Sequence, residues 1–133
     1  MTDQDVLTAF YAAYNSHDAQ AATDLYVEDG RHDEIAMGKS RTGHAALREG
    51  LEGFFGMLPD VEWTSKEVIR SADWLAVSYR MTGTFTPRAK EGAPSPSPKS
   101  VALDGLHLLK VVGGRIEITQ DYWSKDAFLA QIG

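Results

Sequence analysis

The chain has 133 residues, of which 43% are hydrophobic and 24% are charged. This length and balance are those of a single folded domain, residues 1–133, with one hydrophobic core. The sequence contains no cysteine, which excludes disulfides, a thiolate nucleophile and cysteine-ligated zinc. Acidic residues outnumber basic ones by 19 to 13, the net charge is −6, and no basic cluster is present. A nucleic-acid partner is therefore not expected.

The apolar runs and the N-terminal residues give an expectation about location. The longest apolar runs are far shorter than the roughly 20 residues that a membrane-spanning helix needs. The N-terminal sequence MTDQDV is acidic, whereas signal and transit peptides are basic. We therefore expect a cytoplasmic protein with no membrane partner, whose ligand is a small neutral or apolar molecule.

Three segments in the first half of the chain have the hydrophobic period of amphipathic helices. The first covers residues 3–14, and the second, residues 19–26, follows Asp18, a candidate N-cap. The third follows Thr42, another candidate N-cap, and ends before Pro59. The residues predicted to face inward are Val6, Leu7, Phe10, Tyr11 and Tyr14, then Ala22, Leu25 and Tyr26, then Leu47, Leu51, Phe54, Phe55 and Leu58.

The second half alternates apolar and polar residues as strands do. The predicted strands are residues 61–70, 74–86, 101–112 and 115–123, with a shorter one at 31–36 after a turn at 28–30, and a final helix covers 125–132. Long antiparallel strands after helices are typical of an α+β fold. We expect a strongly curved mixed or antiparallel sheet that wraps around three N-terminal helices and forms a cone with an internal pocket.

The segment between two of these strands, residues 87–100, contains four of the five prolines. Proline cannot donate a hydrogen bond to a neighbouring strand, so the segment is predicted to be a loop. Two interpretations remain open: a solvated connector, or a mobile flap over the pocket.

The last two predicted strands each carry one ionisable residue among apolar ones, His107 and Asp121. A two-residue turn at Gly113 and Gly114 would place His107 opposite Gln120. A three-residue loop with a bulge would instead place His107 opposite Asp121. Both turns suit the local sequence, so the turn residues leave the register open.

Side-chain patterning favours the register that pairs His107 with Asp121. One face then carries Leu103, Gly105, His107, Leu109, Thr119, Asp121 and Trp123, and the other carries Leu106, Leu108, Lys110, Val112, Ile116, Ile118, Gln120 and Tyr122. Because both faces are largely apolar, both should be covered. We expect the first face to line the cone, and the second to form a homodimer interface through Leu106, Leu108, Ile116 and Ile118.

A carboxylate inside an apolar cone loses solvation, which would raise the pKa of Asp121 toward the range useful for acid/base catalysis. An imidazole opposite it could donate a hydrogen bond, orient the carboxylate and moderate that rise. The alternative is a structural buried pair that satisfies its own hydrogen bonds. From spacing alone, the structural alternative is favoured.

A second group of ionisable residues is His32, Asp33 and Glu34. Strand alternation places Asp33 on one face and the other two on the opposite face, so at most one set faces inward. Solvated charges are the default, and Glu34 is a candidate pocket residue. Four aromatic residues are predicted to fill the core and the pocket wall and to contact a substrate: Tyr14, Trp63, Tyr79 and Trp123. No metal-binding spacing and no phosphate-binding glycine loop occurs, so neither a metal nor a cofactor is predicted.

Four stretches give the chain a resemblance to the SnoaL-like polyketide cyclases over nearly its full length. They are FYAAYNSHDAQAATDLYVEDG (10–30), GHAALREGLEGFFGMLPDVEW (43–63), GTF (83–85) and GGRIEITQDYWSKDAFLAQIG (113–133). The resemblance implies a cystatin-like α+β barrel of the superfamily that includes ketosteroid isomerase and nuclear transport factor 2. It also implies closure of a polyketide ring by an intramolecular aldol step without metal or cofactor, with Asp121 as acid/base near His107. That match supports the three-residue loop.

Steroid isomerisation is less favoured than cyclisation when the chain is compared with ketosteroid isomerase. Its oxyanion-hole tyrosine corresponds to Phe10 and its second donor to Leu106, so a base near Glu34 would lack stabilisation of the enolate. The chain also departs from the cyclase pattern at HDEIAMG (32–38), which lacks the usual Asp-Pro, and at residues 87–100. Both departures border the expected pocket and leave the substrate open.

Two hypotheses follow. The first is an enzyme of the cyclase or isomerase type that acts on a small hydrophobic carbonyl compound through Asp121 and His107. The second is a non-catalytic module of the same fold that binds a hydrophobic ligand or only dimerises. Side chains within about 3.2 Å at the floor of an open cavity would indicate the enzyme, and a filled cone would indicate the module.

Overall fold

The computed structural model describes residues 1–86, 91–94 and 97–133. The helices are α1 (Asp3–Asn15), α2 (Ala19–Thr23), α3 (His44–Met57) and α4 (Lys125–Ile132), with a 3-10 turn at Ile35–Met37. The strands are β1 (Tyr26–Glu34), β2 (Lys39–Thr42), β3 (Glu62–Ser71), β4 (Trp74–Phe85), β5 (Lys99–Val112) and β6 (Arg115–Trp123). Within these described ranges, no helix has the length and apolarity to cross a membrane. Part of the predicted loop at 87–100, interpreted as a connector or a flap, lies outside the described residues.

The six strands form one curved, unclosed sheet in the order β2-β1-β6-β5-β4-β3. Neighbouring strands are antiparallel except β1 and β6, which are parallel. The predicted α+β architecture, with a mixed curved sheet and three N-terminal helices, is confirmed. The central strands β5 and β6 carry His107 and Asp121, so the candidate pair lies in the middle of the sheet.

The region before α3 differs from the sequence-based prediction. Residues 26–30, predicted as a helix end and a turn, belong to β1, and β2 was not predicted. The pairing of β1 with β6 shifts register between Tyr26 and Arg31, so the turn-forming residues lie in an irregular part of the strand. Thr42 ends β2 instead of capping α3, which begins after Gly43 without a side-chain cap.

The predicted inward stripe of α1 packs against the sheet and is buried over its whole length. The stripe of α3 is less covered, because Leu51, Phe54 and Phe55 are only partly buried. At the end of α1, the Asn15 side chain donates to the Trp63 carbonyl at 2.9 Å and accepts from the Trp63 backbone N–H at 2.7 Å. These two bonds attach the helix to the edge strand β3 and fix where its aromatic residues enter the cone.

The β5–β6 hairpin determines which side chains face the helices. Val112 pairs with Arg115, and Gly113 and Gly114 have φ values of 59° and 77°. The turn therefore has two residues, as the type I′ geometry with two positive φ angles requires, and the predicted three-residue loop is wrong.

A bulge next to this turn nevertheless produces the predicted register. Val111 pairs with Ile116 but Lys110 pairs with Ile118, so Glu117 is one extra residue in β6. Beyond the bulge His107 pairs with Asp121. Ile116, predicted on the outer face, lies before the bulge and is fully buried in the core. The bulge thus brings both Ile116 and Asp121 to the inner face.

Candidate functional site

Four side chains from four different elements meet on the inner face around the hairpin. They form what we call the His107 chain: Tyr11 of α1, His107 of β5, Asp121 of β6 and Tyr79 of β4. The Tyr11 hydroxyl oxygen lies 2.8 Å from His107 Nδ1. His107 Nε2 lies 3.4 Å from Asp121 Oδ2. The Tyr79 hydroxyl donates to Asp121 Oδ1 at 2.6 Å.

The central contact of this chain is incomplete. His107 is fully buried, yet its Nε2 makes no hydrogen bond to any part of the chain that the structure describes. The 3.4 Å separation from Asp121 Oδ2 slightly exceeds the limit of about 3.2 Å for such a bond. The two groups therefore interact electrostatically without a well-formed hydrogen bond, and the Nε2 position retains an unused hydrogen-bonding capacity in a dry environment.

Aromatic rings fill the space around His107. The edges of Phe10 and Tyr14 face the imidazole with ring centroids 5.4 Å and 6.0 Å away, and the Tyr79 ring lies at 4.5 Å, tilted by 31°. The side chain of Asp121, by contrast, retains 13% exposure. Of the two groups, the carboxylate is the one that solvent reaches.

The pKa of the Asp121 carboxyl is lowered, whereas the sequence led us to expect a raised value. Burial alone does raise it, but the electrostatic attraction of the neighbouring His107 imidazole and the hydrogen bond from Tyr79 outweigh burial. Asp121 is therefore a carboxylate at neutral pH and can accept a proton without first losing one.

Tyr79 reaches Asp121 because residue 105 is a glycine. Gly105 pairs with Tyr79 on one side and with Trp123 on the other. A Cβ atom at Gly105 would overlap the Tyr79 ring and its hydroxyl. The missing side chain lets the phenol lie over the strand and bind Oδ1, which leaves Oδ2 as the carboxylate oxygen nearer His107.

A second group of inner-face residues, which we call the His32 chain, runs along β1 and β6. It consists of Tyr26, Thr119, His32, Glu34 and Trp123. Thr119 Oγ1 lies 2.5 Å from the Tyr26 hydroxyl and 2.7 Å from His32 Nδ1. His32 Nε2 lies 3.0 Å from Glu34 Oε2, and the Trp123 indole N–H donates to Glu34 Oε1 at 2.5 Å.

The protonation of His32 depends on this second chain. Burial lowers the pKa of the His32 imidazole, but the hydrogen bond and the negative charge of Glu34 raise it more, so that the net pKa is above its usual value. His32 and Glu34 thus favour an imidazolium–carboxylate pair whose charges compensate each other.

The alternation predicted for residues 32–34 is observed. His32 and Glu34 face the helices, and Asp33 faces outward, where Arg31, Ser40 and Gln120 bind its carboxylate. These partners lower the pKa of Asp33, although burial opposes them. Asp33 is accordingly a structural carboxylate on the opposite face from Asp121.

The predicted substrate-contacting residues lie at different depths. Glu34 pairs in register with Asp121, and Trp123 lies next to both. The indole N–H of Trp123 already donates to Glu34. Tyr14 and Trp63 are each 4% exposed and pack against each other at 5.0 Å. Trp63 Nε1 is buried and has no hydrogen-bond partner among the residues described. The inner wall therefore contains one indole donor that is not yet used.

Three residues of these chains were missed as functional candidates: Tyr11, Thr119 and Tyr26. Tyr11 lies in the apolar stripe of α1 and Tyr26 in that predicted for α2, so the sequence marked both only as core residues. His32 was considered, and its alternation with Glu34 was the one available signal. Their hydrogen-bond partners come from strands about 90 residues away in the sequence, which no local pattern could reveal.

The sequence profile of the SnoaL-like domain matches residues 7–118. The chain belongs to the SnoaL-like family. The matched range includes His107 and ends shortly before Asp121, so Asp121 itself does not contribute to the match. No protein of curated function gives a significant match.

Several solved structures share the fold of this SnoaL-like protein. A hypothetical protein from Catenulispora acidiphila with a ketosteroid isomerase-like fold, in complex with trimethylamine, is 27% identical with a TM-score of 0.83, covering 99% of this chain and 95% of that one. A proposed polyketide cyclase from Pseudomonas putida is 22% identical with a TM-score of 0.80, covering 100% and 99%. IdmH, a proposed polyketide cyclase from Streptomyces antibioticus, is 20% identical with a TM-score of 0.81, covering 100% and 99%. At these identities the two cyclases show the fold alone.

Proposed function

We propose that this SnoaL-like protein is a cofactor-independent enzyme of the cyclase or isomerase type, acting on a small hydrophobic carbonyl compound. One observation carries the proposal: the Asp121 carboxyl group lies on the inner face with Oδ1 bound by Tyr79 and Oδ2 near His107 Nε2, which has no hydrogen-bond partner among the described residues. Such a group has the charge, the limited exposure and the fixed orientation that a general base needs. Family membership and the cyclase-like fold support the same class of reaction.

In the proposed reaction, Asp121 Oδ2 removes a proton from the carbon next to a substrate carbonyl. The resulting enolate carbon attacks a second carbonyl carbon of the same molecule, so that one carbon–carbon bond forms and the carbonyl π bond breaks. The alkoxide then takes back the proton from the Asp121 carboxylic acid, which regenerates the carboxylate. No oxidant or metal is needed, because the numbers of electrons and protons balance within the substrate.

The neighbouring residues have distinct proposed roles. Tyr79 holds one carboxylate oxygen and so orients the other, while the His107 imidazole, with Nε2 3.4 Å from Oδ2, stabilises the ionised form electrostatically. His107 is fully buried, which favours orientation of Asp121 over direct contact with substrate. Trp123 and Glu34 would contact a ligand near the exposed side of Asp121, and Tyr14 and Trp63 would form the apolar wall.

The test combines ligand discovery with one isosteric substitution. A library of polycyclic ketones and polyketide-like esters is screened by thermal shift, and compounds that bind are assayed for turnover. With any substrate found, Asp121→Asn should lower kcat about 10²- to 10⁴-fold, because the general base is lost. Asp33→Asn, the buried carboxylate on the outer face, is the matched control and should change kcat little. Equal turnover by Asp121→Asn and the wild type would exclude this role for Asp121.

The second candidate function is ligand binding without catalysis. It is favoured by the 3.4 Å separation of His107 Nε2 and Asp121 Oδ2, which exceeds the limit of about 3.2 Å expected of the enzyme. The dense aromatic packing around His107 and the bound trimethylamine in the related ketosteroid isomerase-like structure favour it as well. This alternative predicts that compounds raise the melting temperature of the protein while none is converted. Under this alternative Asp121→Asn would alter only the dissociation constant.

We further propose that the protein forms a homodimer through the outer face of the sheet. A depression of about 490 Å³ on that face is lined by apolar side chains that include Trp74, Leu108 and Ile118, next to Ile69, which is 66% exposed. Ile116 does not contribute, since it lies in the core. Sedimentation equilibrium should give a dimer for the wild type and a monomer for Ile118→Glu, and a monomeric wild type at micromolar concentration would contradict the proposal.

A further inference from the structure

Tyr11 provides the buried His107 ring with a hydrogen-bond partner from helix α1. Its hydroxyl oxygen lies 2.8 Å from Nδ1, and the two ring centroids are 5.7 Å apart. The ring of Tyr11 is held from the side by Phe10, in an edge-to-face contact at 5.2 Å. Since His107 has no exposed surface, Nδ1 cannot exchange this partner for water without opening of the core.

We propose that Tyr11 is a positioning residue that selects the tautomer of His107, so that the ring proton is on Nε2 and faces Asp121. This inference deepens the proposed function, because it specifies how the pair is prepared for proton transfer. A neutral imidazole carries a single N–H, and its other nitrogen is an acceptor. When the Tyr11 hydroxyl donates to Nδ1, the ring proton must be on Nε2, 3.4 Å from Asp121 Oδ2.

The opposite tautomer is disfavoured by charge. It would place the lone pair of Nε2 against the Asp121 carboxylate, and two centres of negative charge would then face each other in a dry site. It would also remove the N–H group that faces Asp121 Oδ2 at 3.4 Å, while Tyr79 binds only Oδ1. Hydrogen bonding at Nδ1 and charge at Nε2 thus favour the same proton position.

The hydroxyl of Tyr11 can also serve the charged form of His107. If the imidazole takes a second proton, Nδ1–H becomes a donor and the same hydroxyl oxygen accepts it after rotation of its O–H. Burial, with the charge of Asp121, raises the pKa of Tyr11 above its usual value, so its own proton stays on the oxygen at neutral pH. Tyr11 therefore keeps Nδ1 paired throughout a proton-transfer cycle.

Among the described groups that face His107, Tyr11 is the one able to keep Nδ1 hydrogen bonded. From α1 these are Tyr11 and Tyr14, from β4 Tyr79, and from β6 Asp121. Tyr79 is committed to Asp121 Oδ1. Tyr14 presents the edge of its ring at 6.0 Å. On β1, Glu34 and His32 lie beyond Asp121 and compensate each other's charge.

The experiment measures the tautomer directly, by 15N chemical shifts of the His107 ring in protein labelled at histidine. At a pH where the ring is neutral, the wild type should show a protonated Nε2 and an acceptor Nδ1. Tyr11→Phe, which keeps the ring and removes the hydroxyl, should give a mixture of tautomers. Tyr122→Phe is the matched control, because its hydroxyl bonds Gln120 on the outer face and should not affect His107.

With a substrate in hand, Tyr11→Phe should lower kcat about tenfold, the equivalent of one hydrogen bond, with little change in KM. It should also displace the pH profile of kcat, which a merely structural role would not do. A wild-type His107 with its proton on Nδ1 alone, or an unchanged tautomer in Tyr11→Phe, would overturn the proposal. If the tautomer changes but Asp121→Asn retains full turnover, the role of Tyr11 stands and the proposed function falls.

Discussion

The two polar chains on the inner face lie side by side but are hydrogen bonded to different degrees. In the His32 chain, both ring nitrogens of His32, both oxygens of Glu34 and the indole N–H of Trp123 have partners. In the His107 chain, Nε2 lacks a hydrogen bond within the described part of the protein, and the contact to Asp121 is long. Each chain includes at least one residue of β6. The difference in hydrogen bonding therefore comes from the members on other elements.

This difference separates a structural network from a reactive one. A fully paired network in a buried site stabilises the fold and offers no free group to a ligand. In the His107 chain, the partly exposed Asp121 keeps Oδ2 without a hydrogen bond among the described residues, so this oxygen is available to a ligand. The contrast predicts that changes at Tyr26, Thr119 and His32, the members of the His32 chain with no proposed ligand contact, alter mainly stability, and that changes in the His107 chain alter mainly function.

The largest expected change in stability comes from Thr119→Val, which removes the central oxygen of the His32 chain without changing its shape. Tyr26 and His32 would each lose a buried hydrogen bond. At about 1–3 kcal/mol for each unsatisfied group, the free energy of unfolding should fall by roughly 2–4 kcal/mol. Urea unfolding at neutral pH measures this change.

The control for this variant is Thr82→Val, the same substitution at an exposed position of β4. It should change the unfolding free energy by no more than about 0.5 kcal/mol. The comparison between the chains fails if Thr119→Val costs no more than this control. It also fails if Thr119→Val leaves the fold intact and abolishes turnover.

A smaller effect on stability and a larger one on activity are expected for Gly105→Ala. The new methyl group would displace the Tyr79 ring, at a cost of about 1–3 kcal/mol for overpacking. The displaced hydroxyl would release Asp121 Oδ1 and free the carboxylate to rotate, so kcat should fall more than stability does. In a Tyr79→Leu background the same methyl group should cost less, and the coupling is read from a double-mutant cycle. Additive costs would show that Gly105 and Tyr79 act independently.

The smallest effects are the opposite pH dependences of the two chains. The pKa of His32 is raised on folding, so its contribution to stability is present below about pH 6.5 and is lost as the pH rises through the folded pKa. The pKa of Asp121 is lowered, so its contribution is present above about pH 4 and is lost as the pH falls through the folded pKa.

These dependences are measured as unfolding free energies between pH 2 and 9. Glu34→Gln should flatten the curve on the neutral-to-alkaline side alone, because it removes the partner that raises the pKa of His32. Asp121→Asn should flatten it on the acid side alone. If both variants change the same side, the two chains titrate as one network and the distinction between them is wrong.

The sequence was most informative where local periodicity and burial agree. The inward stripe of α1, the strands β3 to β6 and the cap of α4 at Ser124 follow from spacing and capping rules, and the Ser124 hydroxyl accepts from the Ala127 N–H as expected. The pairing of His107 with Asp121 was predicted from patterning. Its mechanism was not, since a two-residue turn followed by a bulge replaced the three-residue loop.

The remaining differences have tertiary causes. Glu28, Asp29 and Gly30 have turn propensities, but pairing of β1 with the distant β6 holds them in a strand. The pKa of Asp121 is lowered instead of raised because His107, and after it Tyr79, which lies 42 residues away in the sequence and donates to Asp121, outweigh burial. Tyr11 and Trp63 illustrate the same point: a core aromatic and a polar donor are indistinguishable until their neighbours are known.

Glu117, the extra residue in β6, has a consequence for insertions and deletions in relatives of this protein. Without residue 117, Ile118 would follow Ile116 directly, and an uninterrupted ladder would still join Lys110 to Ile118 and His107 to Asp121. A deletion is therefore tolerated at residue 117. Loss of a residue between 118 and 121 would instead turn the Asp121 carboxylate to the outer face. Alignments across the family should accept a gap at 117 and treat any gap nearer Asp121 as a change of architecture.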